Sequence, residues 1–202
     1  MWQALATELS DDGRGGGLDI IAIAVDERTD DVRPWIDGLT MPVLIDSDRV
    51  FCDLYGVTNV PTVVWIDEDS RIVRPNSPAF GDDTFKEFHG IDSAKHHDDL
   101  RGWVSGSWNA PSAADVAALR TAPTADEQAA RTHFRLGVWL LRSGHTEHAA
   151  KQFARAGELA PDDFTIRRAA MPLVGIDPFG QEFFDLYEEW KDRTGGRYYP
   201  AD

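Results

Sequence analysis

The stretch from Tyr55 through Asp67, Tyr-Gly-Val-Thr-Asn-Val-Pro-Thr-Val-Val-Trp-Ile-Asp, limits the possible folds more than any other part of the chain. A helix end closes on Gly56 and a short loop leads to Pro61. An apolar strand then runs from Thr62 to Ile66. Proline cannot donate to a strand ladder, so within sheets it is confined to strand starts, edges and bulges. Glu68-Asp69-Ser70 turns this strand into Arg71-Ile72-Val73, an antiparallel hairpin partner.

The flanking sequence alternates helix and strand. Residues 1–10 read as an amphipathic helix carrying Trp2, Leu5 and Leu9, with Ala6 on the same side. Residues 11–17 form a glycine-rich turn. It is not a phosphate-binding loop, because no Lys-Ser/Thr follows and a strand comes next. Leu18 to Val25 is nearly continuous in apolar residues, as expected of a strand buried on both faces. Thr29 or Asp30 can cap a helix to about Leu39, with Val32, Trp35, Ile36 and Leu39 at helical spacing. Pro42 to Ile45 is extended, and Asp48 can cap a helix bearing Val50, Phe51, Leu54 and Tyr55. Helix returns over 83–104 with Phe85, Phe88, Leu100 and Trp103 as its apolar side. Gly90-Ile91-Asp92 and His96-His97 bear on its continuity.

These residues, and the helix–Gly–loop–Pro–strand unit above all, resemble the thioredoxin-like superfamily, closest to its TlpA/redoxin branch of thiol–disulfide oxidoreductases. The resemblance covers about residues 1–105. It implies a cis Val60-Pro61 bond, with the outward Val60 backbone pairing with an extended substrate peptide by strand addition. It also implies a Cys-x-x-Cys pair facing that proline. The sequence holds one cysteine, Cys52, and opens at Met1-Trp2-Gln3 inside what reads as the helix that follows the dithiol. The implied fold is therefore α/β, an incomplete thioredoxin-like sandwich without its N-terminal strand and dithiol. That strand would lie between 18–25 and 61–67. Without it the two strands either pair directly or are covered by a second chain, giving a homodimer.

Beyond a linker at Gly106 to Pro111 the pattern is all helical, over about 113–120, 125–142, 145–158, 162–174 and 179–193. Leu136, Gly137, Leu140, Gly144, Ala149, Phe153, Ala156 and Pro161 fall at the spacings of one tetratricopeptide repeat. Small Gly137 and Ala149 mark where two antiparallel helices touch. His133 replaces the usual aromatic, and Met171 breaks a second copy. Asp177-Pro178 reads as cap and first turn of the last helix. Its stripe, Phe179, Phe183, Leu186, Tyr187 and Trp190, is the expected docking face toward the first domain or a second copy. The domains expected are 1–105, a linker with a short helix at 106–124, and an all-α tetratricopeptide-like domain at 125–202.

Net charge is −15 and the pI about 4.7, which argues against nucleic acid and anionic membrane as partners. No signal or membrane-spanning run is evident, so the chain as given is expected to be cytoplasmic. Cys52 sits mid-helix between Asp48 and Asp53, whose carboxylates oppose a thiolate. It reads as a buried structural cysteine and is a minor catalytic candidate. His96-His97 and His145/His148 read as solvated faces rather than metal sites. No cofactor or metal is expected. The functional set reduces to Val60 and Pro61 for peptide binding. Two readings follow: an oxidoreductase relative inactive in dithiol exchange as given, or a protein-binding scaffold using the proline loop and the helices. In-frame codons ahead of Met1 would separate a truncated enzyme from a redox-dead member.

Overall fold

A computed structural model describes residues 2–10, 17–84 and 86–199. Asp11 to Gly16 of the glycine-rich turn, and Phe85, lie outside the described residues. In chain order the elements are α1 (Trp2–Leu9), β1 (Ala22–Ala24), α2 (Thr29–Ile36), β2 (Val43–Ile45), α3 (Val50–Tyr55), β3 (Thr62–Ile66) and β4 (Ile72–Pro78). There follow α4 (Lys86–His89), α5 (Ser93–Val104), α6 (Ala113–Leu119), α7 (Ala125–Arg142), α8 (Thr146–Leu159), α9 (Phe164–Leu173) and α10 (Gln181–Thr194). They form two compact units. Unit 1 is Met1–Ser47 with Pro61–Ala118, and unit 2 is Asp48–Val60 with Leu119–Asp202. Residues 48–60, expected in the first domain, thus belong with the C-terminal helices.

Unit 1 holds two short ladders. β1 and β2 pair in parallel, Ile23 opposite Leu44. β3 and β4 pair antiparallel, with register shifts either side of Trp65. No bond joins β1 to β3 among the described residues, so the direct closure of strands 18–25 and 61–67 does not occur there. The core of this unit gathers on the β3 side: Leu5, Leu9, Trp65 and Leu100 are buried, with Val63 and with Leu18 and Ile20, which precede β1, packed on them. Trp65 stacks on Trp103 at 5.1 Å and tilts against Trp108 at 4.8 Å. Such pairs add about 0.5–1.5 kcal/mol each to the area they bury.

Several sequence expectations are corrected in this unit. The first strand is three residues long rather than eight, and Ile21 is 56% exposed. A strand paired on one side only is not enclosed as a central parallel strand would be. α2 stops at Ile36, where Asp37 turns extended and Gly38 takes φ 79°. Trp35, still inside the last turn of α2, is 83% exposed although Val32, three residues before it, is buried. The helix expected over 83–104 divides at Gly90, whose φ is 73°. α5 then starts afresh on Asp92, whose carboxylate accepts the Lys95 N–H at 3.0 Å.

In unit 2, α7 and α8 match the expected boundaries closely. Thr124 and Glu127 close a capping box at the start of α7, which satisfies orphan N–H groups. Gly137 then lets the helices approach: a Cβ there would stand 2.6 Å from the Phe153 ring. Ala130, Phe134, Ala149, Phe153, Ala156 and Ile166 form the core around this contact. The aromatic stripe of α10 faces inward within the unit. Phe183, Leu186, Tyr187 and Trp190 pack on Phe164 and Met171, leaving Phe179 exposed. The expected docking face is thus mostly consumed in this core. Asp177 caps a turn through the Phe179 N–H, and α10 itself begins after Gly180.

Candidate functional site

The loop between α3 and β3 is fixed by unusual means. α3 opens at Arg49, a non-glycine residue in the left-handed region at φ 58°, a conformation few side chains adopt. The buried Arg49 guanidinium donates to the Thr165 carbonyl at 3.0 Å and lies 5.2 Å over the Phe134 ring. Asp48, expected as the cap of α3, makes no cap bond. Its carboxylate accepts instead from Arg142 at 3.4 Å. α3 ends on Gly56 at φ 64°, whose N–H closes on the Cys52 carbonyl.

Past that cap the loop backbone is held almost bond by bond. The Thr58 carbonyl accepts the Phe164 N–H at 2.8 Å and the Thr165 N–H at 3.3 Å. The Tyr199 hydroxyl accepts the Thr58 and Asn59 N–H groups, both at 3.2 Å, and donates to the Asn59 carbonyl at 3.3 Å. The pairing stops at Val60, which is 41% exposed and whose backbone makes no hydrogen bond to the described residues. Pro61 is half-buried, and its carbonyl accepts the Ala79 N–H at 3.4 Å at the start of the β3–β4 ladder. A hydrogen-bonded loop thus ends at Val60, a partly exposed residue whose backbone is unpaired among the described residues, and unpaired backbone can bond to an extended chain.

Asp163 secures the other side of the loop. It accepts the Thr165 N–H at 2.9 Å and the Thr165 hydroxyl at 2.5 Å. Burial pushes its carboxyl up to about 6, against the pull of Thr165, Arg131 and Arg49. Sequence reasoning missed Arg49, Asp163, Thr165 and Tyr199 as supports. Asp163-Phe164-Thr165 carries a legible cap signal; Tyr199, 140 residues away from Asn59 in the chain, carries none.

Cys52 is 2% exposed, in agreement with the structural reading. Its charged surroundings differ from those expected. A cavity of about 10 Å³ beside it is lined by Arg49, Arg131 and Asp53, with Thr165 and Phe134. Asp53 pairs with Arg135 through Oδ2, while Oδ1 lies 3.4 Å from Arg131 Nε without an aligned hydrogen bond. His145 and His148 are exposed, as read. His96 and His97, read as a solvated face, are buried instead against Trp2 and Trp65. No cluster of three or more metal-ligating side chains exists among the described residues. No helix there is long and apolar enough to cross a membrane.

Comparison with known proteins adds one finding. Over 74 residues the chain is 31% identical to the thiol-disulfide oxidoreductase ResA of Halalkalibacterium halodurans. The similarity is to a redox protein. It supports a thioredoxin-like kinship for part of the chain, covering 36% of this sequence and 42% of the relative's length. No family model matches the chain, and no solved structure does.

Proposed function

We propose that this chain is a redoxin-like relative of thiol–disulfide oxidoreductases that binds extended peptide along the Val60 backbone and, as given, performs no dithiol exchange. The observation that carries the binding is the unpaired Val60 peptide at the end of an otherwise fully bonded loop. An incoming strand gains main-chain hydrogen bonds there without disturbing the fold. In this proposal the Val60-Pro61 bond is cis, which aims the Val60 backbone outward. Dithiol exchange needs an attacking thiolate and a resolving thiol, and Cys52 is single and buried. The experiment adds S-carboxymethylated insulin B chain, an extended peptide without free thiols, to the isotope-labelled protein. Amide shifts at Thr58 to Val60, abolished by Val60→Pro, are expected. Unmoved amides at millimolar peptide would refute the binding. Insulin reduction above background by this chain would refute the inactivity.

A scaffold reading has its own support. A groove of about 510 Å³ within unit 2 runs beside Gly56 and Thr58, lined also by Asp126, Trp190, Tyr198 and Tyr199. Acidic and aromatic walls suit a peptide carrying cationic side chains. If an N-terminally extended form bearing Cys-x-x-Cys reduces insulin, the enzyme reading displaces the scaffold.

A further inference from the structure

Three imidazoles of unit 1 lie against aromatic rings, each with an Nε2 that is out of water and lacks a hydrogen-bond partner: His89, His96 and His97. His96 and His97 are only 5% and 7% exposed. Both meet Trp2 edge to face, at 5.9 and 5.6 Å between centroids and 79° and 77° between planes. His96 also meets Trp65 at 5.6 Å. His89 stacks flat on Phe80 at 3.9 Å. His96 and His97 thus fasten α5 to Trp2 of α1 and Trp65 of β3, and His89 holds α4 to Phe80, just past β4. A neutral imidazole tolerates such contacts. A charged one gains some attraction to a ring face but must bury its charge and an Nε2–H that has no acceptor, which costs more.

We infer that α4–α5, residues 86–104, form an acid-released arm: protonation of His96 and His97 detaches α5 from Trp2 and Trp65 while unit 2 stays folded. The charges facing these rings strengthen the device. On β4, the Arg74 guanidinium lies 4.7 Å over the Trp65 ring and 3.2 Å from Asp99. A proton on His96 would place a second cation at the same indole. Lys95 and His97 oppose that proton too, and Asp99, which favours it, is already shared by Arg74 and Lys95. Around His97, Arg101 opposes a proton while Asp98, Asp83 and Glu8 favour it. Arg101 bonds both Glu8 and Asp98, which blunts their pull. Asp83 is the carboxylate acting on His89.

Burial, and then Arg74, lowers the His96 imidazole from its ordinary 6.5 to about 4. His97 and His89 are lowered as well, chiefly by burial. The released arm therefore binds protons more readily than the docked one. For His96 this makes docking complete above about pH 6.5 and weakens it as pH falls toward 4, by up to about tenfold per pH unit, and the lowered His97 and His89 act in the same direction.

The test follows hydrogen-exchange protection along the full chain from pH 7.5 to 4, corrected for intrinsic rates. Protection over 93–104 is expected to fall at least tenfold more than over α7 and α8. In His96→Leu, which keeps an apolar plug of similar size, the fall should move at least one pH unit lower. Simultaneous loss over α5, α7 and α8 would overturn the inference. An unshifted fall in a folded His96→Leu would do the same. Should that variant not fold, the wild-type imidazole resonances decide: titration of His96 near 4 supports the arm, and titration near 6.5 refutes it.

Discussion

Gly137 shows how a single hydrogen atom sets the spacing of two helices. Alanine there gains about 1 kcal/mol in helix propensity. Its methyl would meet the buried Phe153 ring at 2.6–2.8 Å, and overpacking of that kind costs about 1–3 kcal/mol. Phe153 has little room to yield, because it packs on Phe134 at 5.4 Å. Gly137→Ala is expected to destabilise the protein by about 1 kcal/mol, read as a lower denaturant midpoint at unchanged slope. Asp163 offers a second residue-scale test. Its folded-state carboxyl titrates near 6 rather than 3.8, so the unfolded chain loses that proton first. The group's contribution to stability is therefore largest at low pH and is lost as pH rises from about 4 to 6, by at most about 1.4 kcal/mol per unit. Asp163→Asn keeps a cap for α9 and cannot ionise. The stability difference between wild type and variant should change across pH 4–6 and be flat above 6.5; a flat difference throughout would refute it.

At the scale of elements, α3 illustrates how a short helix is held by charge rather than by its own apolar face. Val50 and Leu54 are exposed, while Asp53 engages Arg131 and Arg135 of α7. Arg131 is largely buried and also donates to the Asp53 carbonyl at 3.3 Å. Asp53→Ala removes the carboxylate and leaves that guanidinium the residue-53 carbonyl, and breaking a buried pair from one side costs about 3–5 kcal/mol when nothing else compensates. Allowing for the partial exposure of Asp53, a loss of about 2 kcal/mol is expected by chemical denaturation, with a double change to Asp53→Ala and Arg131→Met recovering part of it. The helices α7 and α8 were legible from sequence because local signals agree with packing there: small Gly137 and Ala149 at the contact, and the spacing from Leu136 through Phe153 to Pro161. The hairpin was legible for the same reason, Asp67 accepting the Arg71 N–H across its turn. What escaped the sequence was set by distant partners. Trp35 fits the helical stripe of Val32, yet in the fold it is 83% exposed. His96 looks polar until Trp2, Trp65 and Leu100 enclose it. The Val60 site was legible at its proline and invisible at its supports, since Tyr199 and Thr165 reach it only through the fold.

For the whole molecule, the consequential fact is that no strand pairing joins the β1–β2 and β3–β4 ladders among the described residues. Each ladder thus leaves a strand edge unpaired there, and open edges are templates for another chain. Beside the β1 edge, Ile21 and Leu44 are both more than half exposed. Ile23, opposite Leu44 in register, points to the same face as Ile21 by the two-residue period of a strand. This apolar face and edge lie together, and a second copy of the chain would supply what both lack. Self-association through β1 is accordingly expected. Sedimentation equilibrium should show a concentration-dependent dimer at neutral pH. Ile21→Lys should weaken it at least tenfold, because a charge would be buried at the edge. The substitution lies at an exposed position, so the monomer's helical circular dichroism should be unchanged. A strictly monomeric wild-type chain at high concentration, or a dimer indifferent to Ile21→Lys, would remove β1 as the contact.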